Sequence, residues 1–153
     1  MRTYKLIIWG LVLFFYSANI FPQGSGWDSV STILKRIVPP SFPNREFNIT
    51  SYGAIGDGVT DCTSAIKNAI TACSNSGGGK VVVPGGTYLI GAIYLNSNVN
   101  LYLTSGAILL FSHDKSKYLP VVYTRSEGIE CMNYSPFIYS YGETNIAITG
   151  RGT

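Results

Sequence analysis

Hydrophobic and polar positions follow two different periods along this chain. From residue 47 onward, short runs rich in β-branched and aromatic residues alternate with bends of Gly, Asn, Ser and Pro, which is typical of strands joined by turns. The predicted strands are Phe47–Ile49, Val81–Val83, Tyr88–Leu95, Val99–Leu103, Ala107–Phe111, Pro136–Ser140 and Asn145–Thr149. The chain is therefore predicted to be mostly β.

Two segments show the period of an amphipathic helix instead. The first spans about Trp27–Val38 and ends at a run of prolines. The second spans about Asp61–Ser74, where Thr60 or Asp61 can accept a hydrogen bond from an unpaired amide of the first turn. Its predicted apolar face consists of Cys62, Ala65, Ile66, Ala69, Ile70 and Cys73. One helix with a single apolar stripe cannot form a core alone, so it is expected to pack on the strands.

A weak internal repeat indicates how the strands are arranged. Val81–Thr87, Leu101–Ala107 and Ala147–Thr153 each read as a strand, a bend ending in Gly and a small residue, at offsets of 20 and then 46 residues. This spacing favours a parallel solenoid whose coils bury their inward faces against one another. The second helix would then cover the open N-terminal edge. An antiparallel sandwich built from the same strands is the alternative.

The first 23 residues have the order of an export signal. Arg2 and Lys5 precede an uncharged apolar run, Leu6–Tyr16, and small residues follow at positions 17 to 19. The run is shorter than the roughly 20 residues that a transmembrane helix needs. A secreted protein, extracellular or periplasmic, is expected; a buried N-terminal helix and an uncleaved membrane anchor are the alternatives.

Three segments follow from these patterns: a signal peptide at 1–23, an N-terminal arm at 24–46 and the compact fold at 47–153. The 153 residues suit one modest domain, and a hydrophobic fraction of 46% excludes a disordered chain. The formal net charge of +3 includes Arg2 and Lys5 of the predicted signal. The remaining excess is too small for a nucleic-acid-binding surface.

Specific motifs add a family resemblance. Asn48–Thr63, with Tyr52-Gly53-Ala54-Ile55-Gly56-Asp57-Gly58 at its centre, resembles the opening of the pectate-lyase-like superfamily. Other segments resemble the polygalacturonases of glycoside hydrolase family 28: Gly77–Tyr88, Leu101–Phe111, Arg125–Glu130, Asn133–Pro136 and Asn145–Gly150. The resemblance covers about residues 27–153. It implies an all-β fold, a right-handed parallel β-helix (solenoid) with an N-terminal capping α-helix, incomplete within these residues.

The resemblance also implies inverting hydrolysis of the α-1,4-galacturonosyl links of pectin, without a cofactor or metal. An inverting glycosidase uses two carboxyl groups about 6.5–9.5 Å apart. The family supplies them from Asn-x-Asp and Asp-Asp motifs, accompanied by Gly-His-Gly and Arg-x-Lys. None of these four motifs occurs in this sequence, and the one histidine, His113, lies between Ser112 and Asp114.

We therefore expect no catalytic residue and no metal site here, and the sequence leaves the substrate-binding residues undefined. The expected partner is pectin or an oligogalacturonide, with neither nucleic acid nor, after signal cleavage, a stable membrane association. The chain reads as the N-terminal part of a longer enzyme and is expected to be inactive alone. A non-catalytic carbohydrate-binding or adhesive β-helix, and a truncated reading frame without its own function, remain open alternatives.

Several acidic and basic residues have simpler roles than catalysis. Asp57 and Asp61 are expected to form a turn and a helix cap. Arg125 either faces an anionic substrate or pairs locally with Glu127 or Glu130, and Glu143 is expected in a solvated turn.

Cysteines and tyrosines leave further possibilities open. Cys62 and Cys73 are about 16 Å apart along one helix, so they cannot pair with each other. Either could reach Cys131, or all three thiols are free. Tyrosines could stack on sugar rings, or fill the interior and seams of the coils; the candidates are Tyr52, Tyr88, Tyr94, Tyr102, Tyr118, Tyr123, Tyr134, Tyr139 and Tyr141.

Overall fold

A computed structural model describes residues 26–153, which divide into two units at Pro39–Pro40. In the first unit a 3-10 turn, Gly26–Ser29, leads into helix α1, Val30–Arg36, which confirms the first predicted helical segment. The predicted signal peptide, residues 1–23, lies outside the described residues. No helix between residues 26 and 153 has the length and apolarity needed to cross a membrane.

The second unit is built mostly from short strands. Its elements are β1 (Glu46–Asn48), β2 (Asp57–Asp61), helix α2 (Thr63–Asn75), β3 (Gly79–Val83), β4 (Gly86–Ile90), β5 (Ile93–Tyr94), β6 (Val99–Leu103), β7 (Ala107–Phe111), β8 (Val122–Ser126), β9 (Ile129–Asn133), β10 (Ile138–Tyr139) and β11 (Ala147–Gly150). The prediction of a mostly β chain is confirmed.

Three parallel sheets organise these strands. The first sheet has the order β1-β3-β6-β11, the second β2-β4-β7, and the third pairs β5 with β10. The chain visits the three sheets in turn, so each pass places its strands beside those of the pass before. Parallel pairing of this kind is not that of an antiparallel sandwich. Only β8 and β9 pair antiparallel among the described strands.

The register confirms the first repeat offset in the first sheet only, and it corrects the second offset. Val81 lies beside Leu101, 20 residues on, as predicted. In the second sheet Gly86 lies beside Ala107, because the bend before β7 is one residue longer than the Pro84–Gly85 bend. Ile148, not Ala147, lies beside Leu101. The predicted offset of 46 is therefore wrong by one, and such a slip would turn every side chain of β11 to the opposite face.

Inward side chains of the strands form one core with helix α2. All six residues of the predicted apolar face of α2 are buried, which confirms that face. The helix contacts β1, β3, β5 and β6. Thr63 Oγ1 accepts from Gly91 N at 2.7 Å, and Ser74 Oγ donates to Ser97 O at 3.0 Å, so hydrogen bonds fix both helix ends to the next pass.

Helix α2 stands where a third-sheet strand stands in later passes. The chain order is β1, β2, α2 in the first pass and β3, β4, β5 in the second. Strand β5 pairs only with β10, and its other side lies next to the helix. An amphipathic helix therefore covers a sheet edge that would otherwise present unpaired backbone groups.

Two strand predictions need correction. Residues 57–61 were not predicted as a strand but form β2. The expected roles of its two aspartates are confirmed, because Asp57 forms a turn by accepting from the amides of Val59 and Thr60, and Asp61 caps the helix by accepting from Thr63 N. The single predicted strand Tyr88–Leu95 is broken at Gly91, where the chain turns into the third sheet. A Cβ at Gly91 would lie 2.8 Å from Lys117 Cβ, which requires glycine there.

Candidate functional site

A long insertion, residues 112–137, connects β7 to β10. It contains a 3-10 turn, Lys115–Tyr118, and the β8–β9 hairpin. The sequence predicted no strand between Phe111 and Pro136, but β8 and β9 form a hairpin there, with Glu127 and Gly128 at φ values of 51° and 87° in its two-residue turn. The alternation of apolar and polar residues in β8 and β9 is too weak to have indicated strands.

An apolar groove of about 580 Å³ lies against this insertion. Tyr118, Tyr134 and Phe137 provide aromatic walls, and Lys115 lies at the same groove. The Phe137 ring stacks on Phe111 with centroids 4.5 Å apart, and Tyr118 Oη donates to Ser112 O at 2.6 Å. These contacts fix two of the walls, so the groove can offer preformed ring faces to a ligand.

A second, more polar groove of about 320 Å³ lies between the first turns of α2 and the insertion. Lys67 and Ser64 line it from the helix, Tyr94 from β5 and Lys117 from the insertion, and Asp61 lines it just before the helix. Cations, hydroxyl groups and an aromatic ring therefore converge on one cleft. The groove also has apolar lining from Ile93, Leu119 and Val122, and small-molecule sites combine such lining with a few placed polar groups.

The Asp61 carboxylate is already engaged by protein donors. Oδ2 pairs with Lys117 Nζ, while Oδ1 accepts from Thr63 N at 2.9 Å and from Thr63 Oγ1 at 2.5 Å. The Lys117 and Thr63 hydrogen bonds lower the pKa of Asp61 to about 2, and the same pair raises the pKa of Lys117. Asp61 thus caps the start of α2 and ties it to the insertion.

Asp57 is held in the same way by its own turn. Its carboxylate accepts from Val59 N, Thr60 N and Thr60 Oγ1 at 2.7 to 2.9 Å. Hydrogen bonds from the backbone and side chain of Thr60 lower its pKa to about 2. A general acid must hold a proton near neutral pH, so neither Asp57 nor Asp61 suits that role.

The other charged or titratable residues considered in the sequence do not line the polar groove. Arg125 Nε donates to Gly128 O at 3.3 Å in place of the expected ion pair, and the Glu130 carboxylate instead raises the pKa of Tyr123 through a hydrogen bond. Glu127 and His113 are exposed in turns. Glu143 is not simply solvated, as we expected: its Oε2 accepts from Ser97 N at 2.7 Å and from Ser97 Oγ, which joins two successive turns.

The cysteines carry unpaired thiols in the structure. Cys62 and Cys73 are buried in the core, Cys131 is half-buried on β9, and burial raises the pKa of Cys73. Among residues 26–153 no cluster of His, Cys, Asp and Glu side chains could hold a metal ion. Cys62 and Cys73 belong to the hydrophobic core.

Four of the nine candidate tyrosines are exposed: Tyr94, Tyr123, Tyr134 and Tyr141. Of the nine candidates only Tyr88 and Tyr118 are buried, so filling the coil interior accounts for few of them. Tyr94 packs edge-on against Tyr139 with centroids 4.9 Å apart, and Tyr123 packs likewise against Tyr141 at 5.8 Å. Exposed aromatic rings of this kind are available to a ligand.

Comparisons with known proteins agree with the parallel sheets. A family model described as rhamnogalacturonase A/epimerase, pectate lyase-like, matches residues 46–106. The exo-poly-alpha-D-galacturonosidase of Dickeya chrysanthemi is 48% identical over 71 residues, which are 46% of this chain and 12% of that protein. A hyperthermoactive exopolygalacturonase from Thermotoga maritima superimposes with a TM-score of 0.75 and 46% identity, over 80% of this chain and 27% of that one. The family 28 exopolygalacturonase of Yersinia enterocolitica gives a TM-score of 0.62 at 34% identity, over 71% and 20%.

This chain is similar to polygalacturonases, including a family 28 exopolygalacturonase, and its residues 46–106 match a pectate lyase-like family model. The family resemblance of the sequence motifs is thereby confirmed. The chain spans only between 12% and 27% of the length of these three relatives. The polar groove was not predicted from the sequence, because its lining residues come from four separate segments.

Proposed function

We propose that this chain is the first part of a secreted polygalacturonase that hydrolyses the α-1,4-galacturonosyl links of pectin with inversion. The observation that carries the proposal is the parallel stacking of β3 on β6 and of β4 on β7, in a chain with family 28 relatives. In this proposal the second unit forms the opening coils of a right-handed parallel β-helix, with α2 as its cap.

The catalytic carboxylates of the enzyme would lie in later coils. The family motifs that carry them do not occur in this sequence, and both Asp57 and Asp61 are committed to structural hydrogen bonds. Ile148 supports a further coil, because it lies beside the buried Leu101 and yet is 52% exposed. A following coil would cover this inward-facing side chain, as β6 covers Val81.

Export to the extracellular space or periplasm is part of the same proposal. It rests on the order of charge, apolar run and small residues in positions 1–23. N-terminal sequencing of protein recovered from the culture medium or periplasm tests it. A mature N-terminus near residue 24 is expected, and an intact Met1 in the exported protein would contradict it.

Release of reducing ends from polygalacturonate tests the enzyme assignment. The 153-residue chain should release none, whereas a chain continued through coils that carry Asn-x-Asp and Asp-Asp should release them. Turnover by the short chain would place the chemistry in these residues and overturn the proposal. Binding of polygalacturonate without turnover by the long chain would favour the non-catalytic alternative.

A further inference from the structure

We propose that the polar groove between α2 and the insertion binds a galacturonate residue through its carboxylate. This inference deepens the proposed function and rests on it. The groove has about 320 Å³ of space, at the lower end of the range of small-molecule sites, which suits a single sugar unit rather than a long segment.

The charge of the groove favours an anion. The Lys67 side chain is exposed on the outer face of α2, and its ammonium group makes no hydrogen bond or ion pair with any described residue. Lys117 uses one of its three ammonium donors on Asp61. Both Asp61 oxygens already accept hydrogen bonds from Lys117 or Thr63. Asp61 therefore has little capacity left to compete with a ligand carboxylate for the donors of the groove. One uncompensated cation therefore remains in the groove.

The neighbouring acidic group does not cancel that charge within the groove. Asp114 precedes the turn that carries Lys117 and contributes to the raised pKa of that lysine. Its carboxylate accepts from Ser116 N and Ser116 Oγ at 2.9 and 2.8 Å, and Asp114 does not line the groove. A ligand carboxylate can therefore pair with Lys67 in a charge-assisted hydrogen bond.

An aromatic ring and a free hydroxyl complete a sugar-binding composition. Tyr94 is 38% exposed, and its packing against Tyr139 fixes the ring, so its face can lie against the apolar side of a pyranose. Ser64 lies three residues before Lys67, on the same side of the helix, and its hydroxyl makes no hydrogen bond with a described residue. A sugar ring on Tyr94 could thus meet Ser64 with its hydroxyls and Lys67 with its carboxylate.

Isothermal titration of the 153-residue chain with trigalacturonate tests this site. Lys67→Gln removes the charge of an exposed ammonium group without partners among the described residues, and we expect binding to weaken about fivefold to tenfold. Lys115→Gln is the matched control, since it removes the same charge from the apolar groove, and binding should stay within about twofold. Neutral galactotriose should bind much more weakly than trigalacturonate. Circular dichroism should show the same fold in all three proteins.

Other outcomes separate the failure of this inference from that of the proposed function. Equal affinity in the wild type and Lys67→Gln would overturn the groove as the uronate site, as would equal affinity for galactotriose. No trigalacturonate binding by the wild type would overturn it too. In each case the proposed function stands or falls independently, on reducing-end release by the extended chain.

Discussion

Asn145 Nδ2 donates to Asn98 Oδ1 across 3.0 Å, and both asparagines have positive φ, 54° and 64°. They occupy the corner where the chain enters β11 and β6, and Gly78 occupies the same corner before β3. Asn145 also exchanges two hydrogen bonds with the backbone of Ser41, at 3.1 and 2.8 Å. The Asn98–Asn145 pair therefore fixes this corner where the chain enters β6 and β11, and its bonds to Ser41 hold the segment before β1 in place.

Asn145→Ala should destabilise the second unit by about 2 kcal/mol, because it removes three hydrogen bonds and places an alanine at positive φ. Asn145→Gly is the matched control, since it loses the same hydrogen bonds but tolerates that φ. Urea denaturation should find the glycine variant more stable by about 1 kcal/mol. Equal losses in the two variants would show that the positive φ is not under strain.

Gly78→Ala tests how closely the corners stack. An added Cβ would lie 2.5 Å from both Cβ and O of Asn98, and Gly78 has a φ of 97°. We expect a loss of about 3 kcal/mol or more in unfolding free energy. Gly106→Ala has a similar φ of 79° but no atom within 4 Å, so it should cost only about 1 kcal/mol. Similar losses for both variants would contradict the close approach.

Glu143→Gln tests the link between successive turns. Glu143 accepts two hydrogen bonds from Ser97 through one oxygen, and the loss of its charge should cost about 1 kcal/mol of stability. Glu127→Gln makes the same chemical change in an exposed hairpin turn and should be neutral. Thermal denaturation of the two variants distinguishes them, and an unchanged midpoint for Glu143→Gln would refute the link.

Acid should weaken the tie between α2 and the insertion. The pKa of Asp61 is about 2 in the folded chain and ordinarily 3.8, so its carboxylate stabilises the fold above about pH 4 and the contribution is lost as the pH falls to about 2. The Asp61→Asn variant should therefore be less stable than the wild type at neutral pH. Between about pH 4 and pH 2 it should lose less unfolding free energy than the wild type does. Because the pair is partly exposed, we expect an effect of about 0.5 to 1 kcal/mol.

A double-mutant cycle with Lys117→Gln provides the control. Each single variant breaks the same ion pair, so the double variant should be less destabilised than the sum of the two. Strict additivity in denaturant unfolding, or an unchanged acid profile for Asp61→Asn, would show that the pair contributes nothing to stability.

Local patterns predicted most of this fold. The buried face of α2 follows from spacing along one helix, and strands β6 and β7 were predicted with their observed bounds. The register between strands was harder to predict than the strands themselves. The bends Pro84–Gly85 and Thr104–Gly106 differ in length by one residue, and the sequence repeat does not show where the extra residue enters. The β8–β9 hairpin was missed because its alternation is weak and its turn carries only one glycine.

The candidate groove depends on tertiary placement. Lys67 and Ser64 share a helix face, but nothing in the sequence relates them to Tyr94 or Lys117. Glu143 was assigned to solvent for the same reason: its partner, Ser97, is 46 residues away and meets it only when the passes stack. Side-chain contacts between passes depend on the strand register, which the sequence predicts least well.

Proton NMR of polygalacturonate digested by the extended chain tests the central claim most directly. An inverting hydrolase should first release saturated products in the β-anomeric form, which then mutarotate. Saturated products that first appear as the α-anomer, or unsaturated products of an elimination, would contradict the assignment of this chain to an inverting polygalacturonase.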